Sequence, residues 1–194
     1  MPEQLTNDMK ELLEALNKWQ AQYLIVGAHA LGVYTEPRGT KDLDIWVNPT
    51  PENAKLVYSA LKEFAAPLFG VTEAFFTERD TFLVVGVAPN RFDILKSIPG
   101  VEFDACWAHR RIFDVGGVTA NFPRLEDLLA AKVAAGRPQD LVDANKLKTA
   151  LRLERRETEK LDAKTKEQES QQSTAPEPSS PEQKGQKKGH SDYS

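Results

Sequence analysis

Val26-Gly-Ala-His-Ala-Leu-Gly-Val-Tyr-Thr-Glu-Pro-Arg-Gly-Thr-Lys-Asp-Leu-Asp-Ile-Trp-Val47 is the stretch that decides how this chain folds. Leu43 to Val47 reads as a strand stopped by Asn48-Pro49. Side chains alternate along a strand, so Asp42 and Asp44 share one face while Leu43, Ile45 and Val47 share the other. Two carboxylates set side by side repel each other, and a divalent cation between them relieves the repulsion. Hard oxygen ligands of this kind suit magnesium or manganese. Upstream, Tyr23-Leu-Ile-Val26 reads as a short buried strand ended by Gly27. Ala28 to Tyr34 then reads as a helix that Pro37 forbids from running on. A glycine at such a junction lets a phosphate approach the backbone, and the helix start offers free N–H groups.

Arg38 and Thr40 stand just before the acid pair, and a guanidinium there can grip phosphate oxygens bidentately. A third acid, Asp93, lies alone among apolar residues in Arg91-Phe-Asp-Ile-Leu95, a second β-like run. Aligned beside the first strand, it would complete a two-metal site of the kind that clamps the attacking and leaving oxygens of a phosphoryl transfer. Singly, these features have plain readings: Gly27 as a turn glycine, Arg38 as half of a surface ion pair. Their conjunction points to a metal-bound nucleoside triphosphate.

Working outward, Met9, Leu12, Leu13, Leu16 and Trp19 recur at helical spacing. Thr50-Pro51-Glu52 opens a further helix, with Thr as N-cap, Pro at its first position and an acid in its first turn. Ala54, Val57, Leu61 and Phe64 are that helix's apolar stripe. Thr81 to Val87 and Arg91 to Leu95 are β-rich runs around a Pro89-Asn90 turn. Val101 to His109 reads as a short helix. Gly116-Gly117 marks a hairpin between Arg111–Val115 and Val118–Phe122. Leu125 to Ala135 is helical up to Gly136, and Pro138 opens a last helix that passes Leu151. Strands alternate with helices and a hairpin follows, which predicts an α/β or α+β fold with a mixed central sheet flanked by helices.

Leu125, Leu128, Leu129 and Lys132 follow helical spacing, so Lys132 sits on the apolar stripe of its helix. A lysine there must either snorkel or meet an anion. Asp140 and Asp143 fall in the first turns after Pro138, where acids stabilise the helix dipole. His29 reads as a packed or solvated histidine. Trp46, on the face of Asp42 and Asp44, reads as core or as a border of the nucleotide.

The chain has 194 residues, with 25 Lys and Arg against 29 Asp and Glu. Its formal net charge of −4 does not resemble a bulk-basic nucleic-acid binder. No apolar run approaches the ~20 residues of a membrane helix, and Met-Pro-Glu-Gln-Leu lacks the features of a secretory leader. The single cysteine, Cys106, excludes an intrachain disulfide and a cysteine-cluster zinc site. A reducing, cytoplasmic setting without membrane contact is expected. Composition shifts near Glu157: residues 157–194 hold no Val, Ile, Phe, Trp or Met. Residues 1–156 are therefore expected to form one domain, and 157–194 a disordered polar tail that the last helix can enter by its first turns.

Taken together, the motifs resemble the nucleotidyltransferase superfamily with the DNA polymerase β-like fold. That family shows an apolar residue, Gly, then Gly or Ser, a helix, Asp-x-Asp or Asp-x-Glu, and a later strand Asp. The matching positions are Val26, Gly27, Ala28, Asp42, Asp44 and Asp93. The chain is similar in particular to small bacterial toxins of type IV abortive-infection systems. That likeness rests on Gly27-Ala-His-Ala30, Pro37-Arg-Gly-Thr-Lys-Asp-Leu-Asp-Ile45, Pro123 to Lys132 and Gly136-Arg-Pro-Gln-Asp-Leu-Val-Asp143, and spans most of residues 20–150.

The resemblance implies transfer of a nucleoside monophosphate from an NTP, with release of pyrophosphate, to an RNA end, a protein or a small molecule. It implies Mg2+ or Mn2+ on Asp42, Asp44 and Asp93. Gly27, Ala28, Arg38, Thr40, Lys132, Arg137 and Asp140 would lie around the nucleotide. A cognate antitoxin or other partner protein is implied as well. Ala28 departs from the family's Gly or Ser, and a methyl group cannot hydrogen-bond a phosphate. The alternative is a weak or inactive nucleotide-binding or interaction module of the same fold.

Overall fold

The computed structural model describes residues 5–78 and 81–173. In chain order these form α1 (Asn7–Lys18), β1 (Tyr23–Ile25), α2 (Gly27–Tyr34), β2 (Asp42–Val47) and α3 (Pro51–Glu63). A 3-10 turn over Glu73–Thr77 leads to β3 (Phe82–Val87) and β4 (Asn90–Leu95). Then come α4 (Phe103–Ala108), β5 (Arg111–Asp114), β6 (Thr119–Phe122), α5 (Leu125–Ala135) and α6 (Pro138–Ser173). The fold is mixed α+β, a sheet flanked by helices. Helix starts follow local chemistry: Thr6 and Thr50 accept hydrogen bonds from Met9 and Asn53 backbone N–H groups, each at 3.3 Å. Gly136, in the left-handed conformation, ends α5.

The main sheet has the order β1-β2-β4-β3, with β1–β2 and β4–β3 antiparallel and β2–β4 parallel. The expected hairpin, β5–β6, forms a separate two-stranded sheet. The two faces of the main sheet differ sharply. Tyr23, Ile25, Leu43, Ile45, Val47, Val85, Phe92 and Ile94 point into the large core, which they share with α1 and α3. Leu24, Val26 and Trp46 point the other way, into a smaller cluster with Phe103 and Cys106 of α4. Trp46 is therefore core, its ring edge-on to Phe103 at 5.0 Å. His29 is buried in α2. The rest of this second face, where the acids stand, is left open by α4.

The chain divides into two units, Met1–Glu154 and Arg155–Ser194. The first holds both sheets. In the second, the last helix, expected to pass Leu151 and to reach into the first turns of the polar tail, runs on from Glu157 to Ser173; residues 174–194 lie outside the described residues. The expectation of disorder rested on the absence of apolar side chains, which rules out a packed core but not a helix. Residues 157–173 are rich in Glu, Lys and Gln, which favour helix without burial. Among the described residues no helix is long and apolar enough to cross a membrane.

Leu43 is completely buried between the two cleft-facing acids of β2. Leu43→Ala should cost roughly 2–5 kcal/mol of unfolding free energy, measured from the urea midpoint at unchanged slope.

Candidate functional site

Strand register brings the acids together. Across the parallel β2–β4 pair, Asp42 stands opposite Arg91 and Asp44 opposite Asp93. Adjacent strands lie about 4.8 Å apart, so Asp93 neighbours the Asp42/Asp44 pair on the same face. On the other flank, Val26 N–H donates to the Asp44 carbonyl at 2.9 Å, which sets the first residue of α2, Gly27, against the Asp44 side chain. Gly27 has φ +66°, and a Cβ there would fall 1.9 Å from Asp44 Oδ2. Only glycine allows this approach. No side chain caps the first N–H groups of α2.

These residues line a cleft of about 670 Å3. Its lining includes Gly27, Ala28 and the Arg38–Asp42 segment, Asp44 and Asp93 of the sheet, and Lys132, Arg137 and Asp140 of the helical side. Every residue expected at the site thus borders one cavity. Thr40 turns its hydroxyl to the Asp42 carbonyl (3.3 Å), steadying the loop at the start of β2.

Electrostatics divide the cleft. On the helical wall, Lys132 is buried, and its Nζ donates to Asp140 Oδ1 at 2.9 Å and Asp143 Oδ2 at 3.0 Å. The anion that Lys132 meets is thus a pair of carboxylates eight and eleven positions along the chain. Arg137 donates to Asp140 at 2.8 Å, Gln139 to Asp143 at 3.0 Å, and Arg38 approaches Asp143 at 3.5 Å. Burial acts to raise the Asp140 pKa, but the hydrogen bond and charge of Lys132, with Arg137, outweigh it and hold the carboxyl below its usual range. Asp143, fully buried, is the residue that sequence reading undervalued as a helix-dipole acid. Its signal was the i, i+3 spacing from Asp140, which puts both acids on one face opposite an apolar-stripe lysine. Arg38 Nε is buried without a hydrogen-bond partner.

On the sheet side the balance is acidic. Burial first, then the charges of Asp93 and Asp42, push the Asp44 pKa up to about 6; Lys132 and Arg137 oppose this only in part. Asp93 is held by Arg91 from its own strand, Nε to Oδ1 at 2.8 Å and Nη2 to Oδ2 at 2.9 Å. Among the described residues no three His, Cys, Asp or Glu side chains are gathered as ligands around one point. The donor chemistry nevertheless fits a divalent ion. Three carboxylates share one open face, and Asp44, flanked by the other two, carries repulsion that a cation would remove.

Among known proteins, no family model matches the chain and no curated relative matches it.

The raised Asp44 pKa has a definite sign. Ionising Asp44 costs the folded state more than the unfolded chain, so its penalty is absent below pH ~4 and complete above pH 6. Asp44→Asn should therefore raise the unfolding free energy at pH 8 in EDTA, by on the order of 2–3 kcal/mol, and the gain, read from the urea midpoint, should fade towards pH 4. Lys132→Met should do the reverse. It strands two buried carboxylates, and a loss of about 3–5 kcal/mol in denaturant unfolding is expected.

Proposed function

We propose that this chain is a metal-dependent nucleotidyltransferase of the DNA polymerase β-like fold. It would move a nucleoside monophosphate from an NTP to an acceptor hydroxyl on an RNA end, a protein or a small molecule. The observation that carries the reading is the β2–β4 register, which sets Asp93 beside Asp44. It does so on a cleft bounded on its other side by a glycine-opened helix start.

Asp42 and Asp44, joined by Asp93, would hold Mg2+ or Mn2+. The bound ion supplies positive charge that neutralises the triphosphate beside the acids. The remaining work falls to the protein. The free N–H groups at Gly27 and Ala28 bind phosphate oxygens, and backbone amides serve where Ala28 lacks a hydroxyl. Arg38, one of whose nitrogens lacks a partner, takes a second set of phosphate oxygens. Lys132 is held by Asp140 and Asp143 and fixes the geometry of the helical side, while Arg137, mostly exposed, can turn its guanidinium to a phosphate at the rim. The acceptor oxygen attacks the α-phosphorus, its proton passes to Asp93, and the bond to pyrophosphate breaks. Rate comes from positioning and fixed charge. A role in phage defence, with an antitoxin or other partner protein, belongs to the same proposal through the motif resemblance.

The test is incubation with each α-labelled NTP, Mg2+ and cell extract, followed by identification of the labelled species. Asp42→Asn and Asp44→Asn should cut label transfer by roughly 10²–10³-fold, the scale of losing one charged group in an active site. Full activity in these variants would remove the acids from the chemistry. Ala28 favours a second reading, a nucleotide-binding module without transfer. Mg2+-dependent NTP binding by calorimetry, with no labelled acceptor in any extract, would support it.

A further inference from the structure

The acid face of the sheet carries a cation of its own. Arg91 and Asp93 are two residues apart on β4, so both project into the cleft side. The guanidinium grips both oxygens of Asp93 with two short, parallel bonds, 2.8 and 2.9 Å. Register sets Arg91 directly opposite Asp42 on one side and Gly86 on the other. Gly86 has no side chain to confine it, and the Arg91 side chain is 41% exposed. It therefore has room to leave.

We propose that Arg91 is a resident counter-cation that competes with the divalent ion for Asp93, so that the metal site is completed only when the guanidinium is displaced. This rests on the metal-binding reading of Asp42, Asp44 and Asp93. In the described arrangement both Asp93 oxygens accept from Arg91, and a positive charge stands beside the acids. Both effects oppose metal entry. Once Arg91 swings aside, Asp93 becomes a ligand and the guanidinium is available to an anionic group on the acceptor. Arg91 is thus a positioning residue, acting through Asp93.

The test reads metal occupancy rather than activity. Free Mn2+ is followed by electron paramagnetic resonance during titration of the full chain, with circular dichroism to confirm folding. Arg91→Gln should bind Mn2+ about tenfold more tightly than the wild type. Arg91→Lys, which keeps the charge but loses the two-pronged grip, should fall between. In an Asp93→Asn background the Arg91→Gln gain should largely disappear, because it runs through the Asp93 carboxylate. Equal affinity in wild type and Arg91→Gln overturns the proposal, as does a gain that survives intact without Asp93. Asp44→Asn separates this failure from a deeper one. If it abolishes Mn2+ binding while Arg91→Gln changes nothing, only the competition is wrong. If neither wild type nor Asp44→Asn holds Mn2+, the metal site fails and this proposal with it.

Discussion

Repulsion among three carboxylates on one half-shielded sheet face is the constraint around which the site is built. Hydrophobic packing behind the sheet fixes where those groups stand. Leu43, Ile45, Phe92 and Ile94 are all anchored in the large core, and their alternate neighbours have no freedom to spread apart. Asp44 bears the cost, with its ionisation pushed up to about 6. A fold that keeps such a strained arrangement gives up stability locally, as functional sites commonly do. The surrounding structure is organised to tolerate this: Gly27 removes its own side chain from the contact, and Arg91 shields one acid.

The helical side works by a different logic. Lys132, Asp140 and Asp143 form a buried cluster that ties α5 to α6, with exposed Arg137 closing on Asp140 from outside. Such a cluster is a poor source of net stability, because desolvation offsets much of the attraction, but it fixes geometry firmly. The cleft therefore pairs a rigid, compensated wall with an uncompensated one. Screening by salt acts on the exposed charges such as Arg137 far more than on Lys132 or Asp143. The attraction that Arg137 offers an incoming anion at the rim is correspondingly sensitive to ionic strength.

Much of this was legible beforehand, for identifiable reasons. The facing of Asp42 and Asp44 follows from a period of two, and the helix starts at Thr6 and Thr50 from capping chemistry. That Asp93 stands beside Asp44 in particular was not readable. Strand order and register depend on long-range packing, and a lone acid between Phe92 and Ile94 announces only a strand. Lys132 was recognisable as a cation in need of an anion. Its partners were hidden because Asp140 and Asp143 have a sufficient local explanation at a helix start. How far the last helix runs, to Ser173, was not readable from what the segment could bury, because a solvated helix needs only favourable backbone propensity. Trp46 shares a face with the acids but lies further along β2, where α4 has closed the sheet over it.

The alternation along β2 also polices folding. Sliding that strand by a single position against β1 or β4 would drive two ionised groups into the interior beneath α1 and α3, and would turn Leu43, Ile45 and Val47 out to water. Mispaired intermediates are penalised many times more heavily than they would be if the open face were merely polar. The same aspartates that lower the ceiling on native stability thus widen the gap between the correct topology and its nearest competitors.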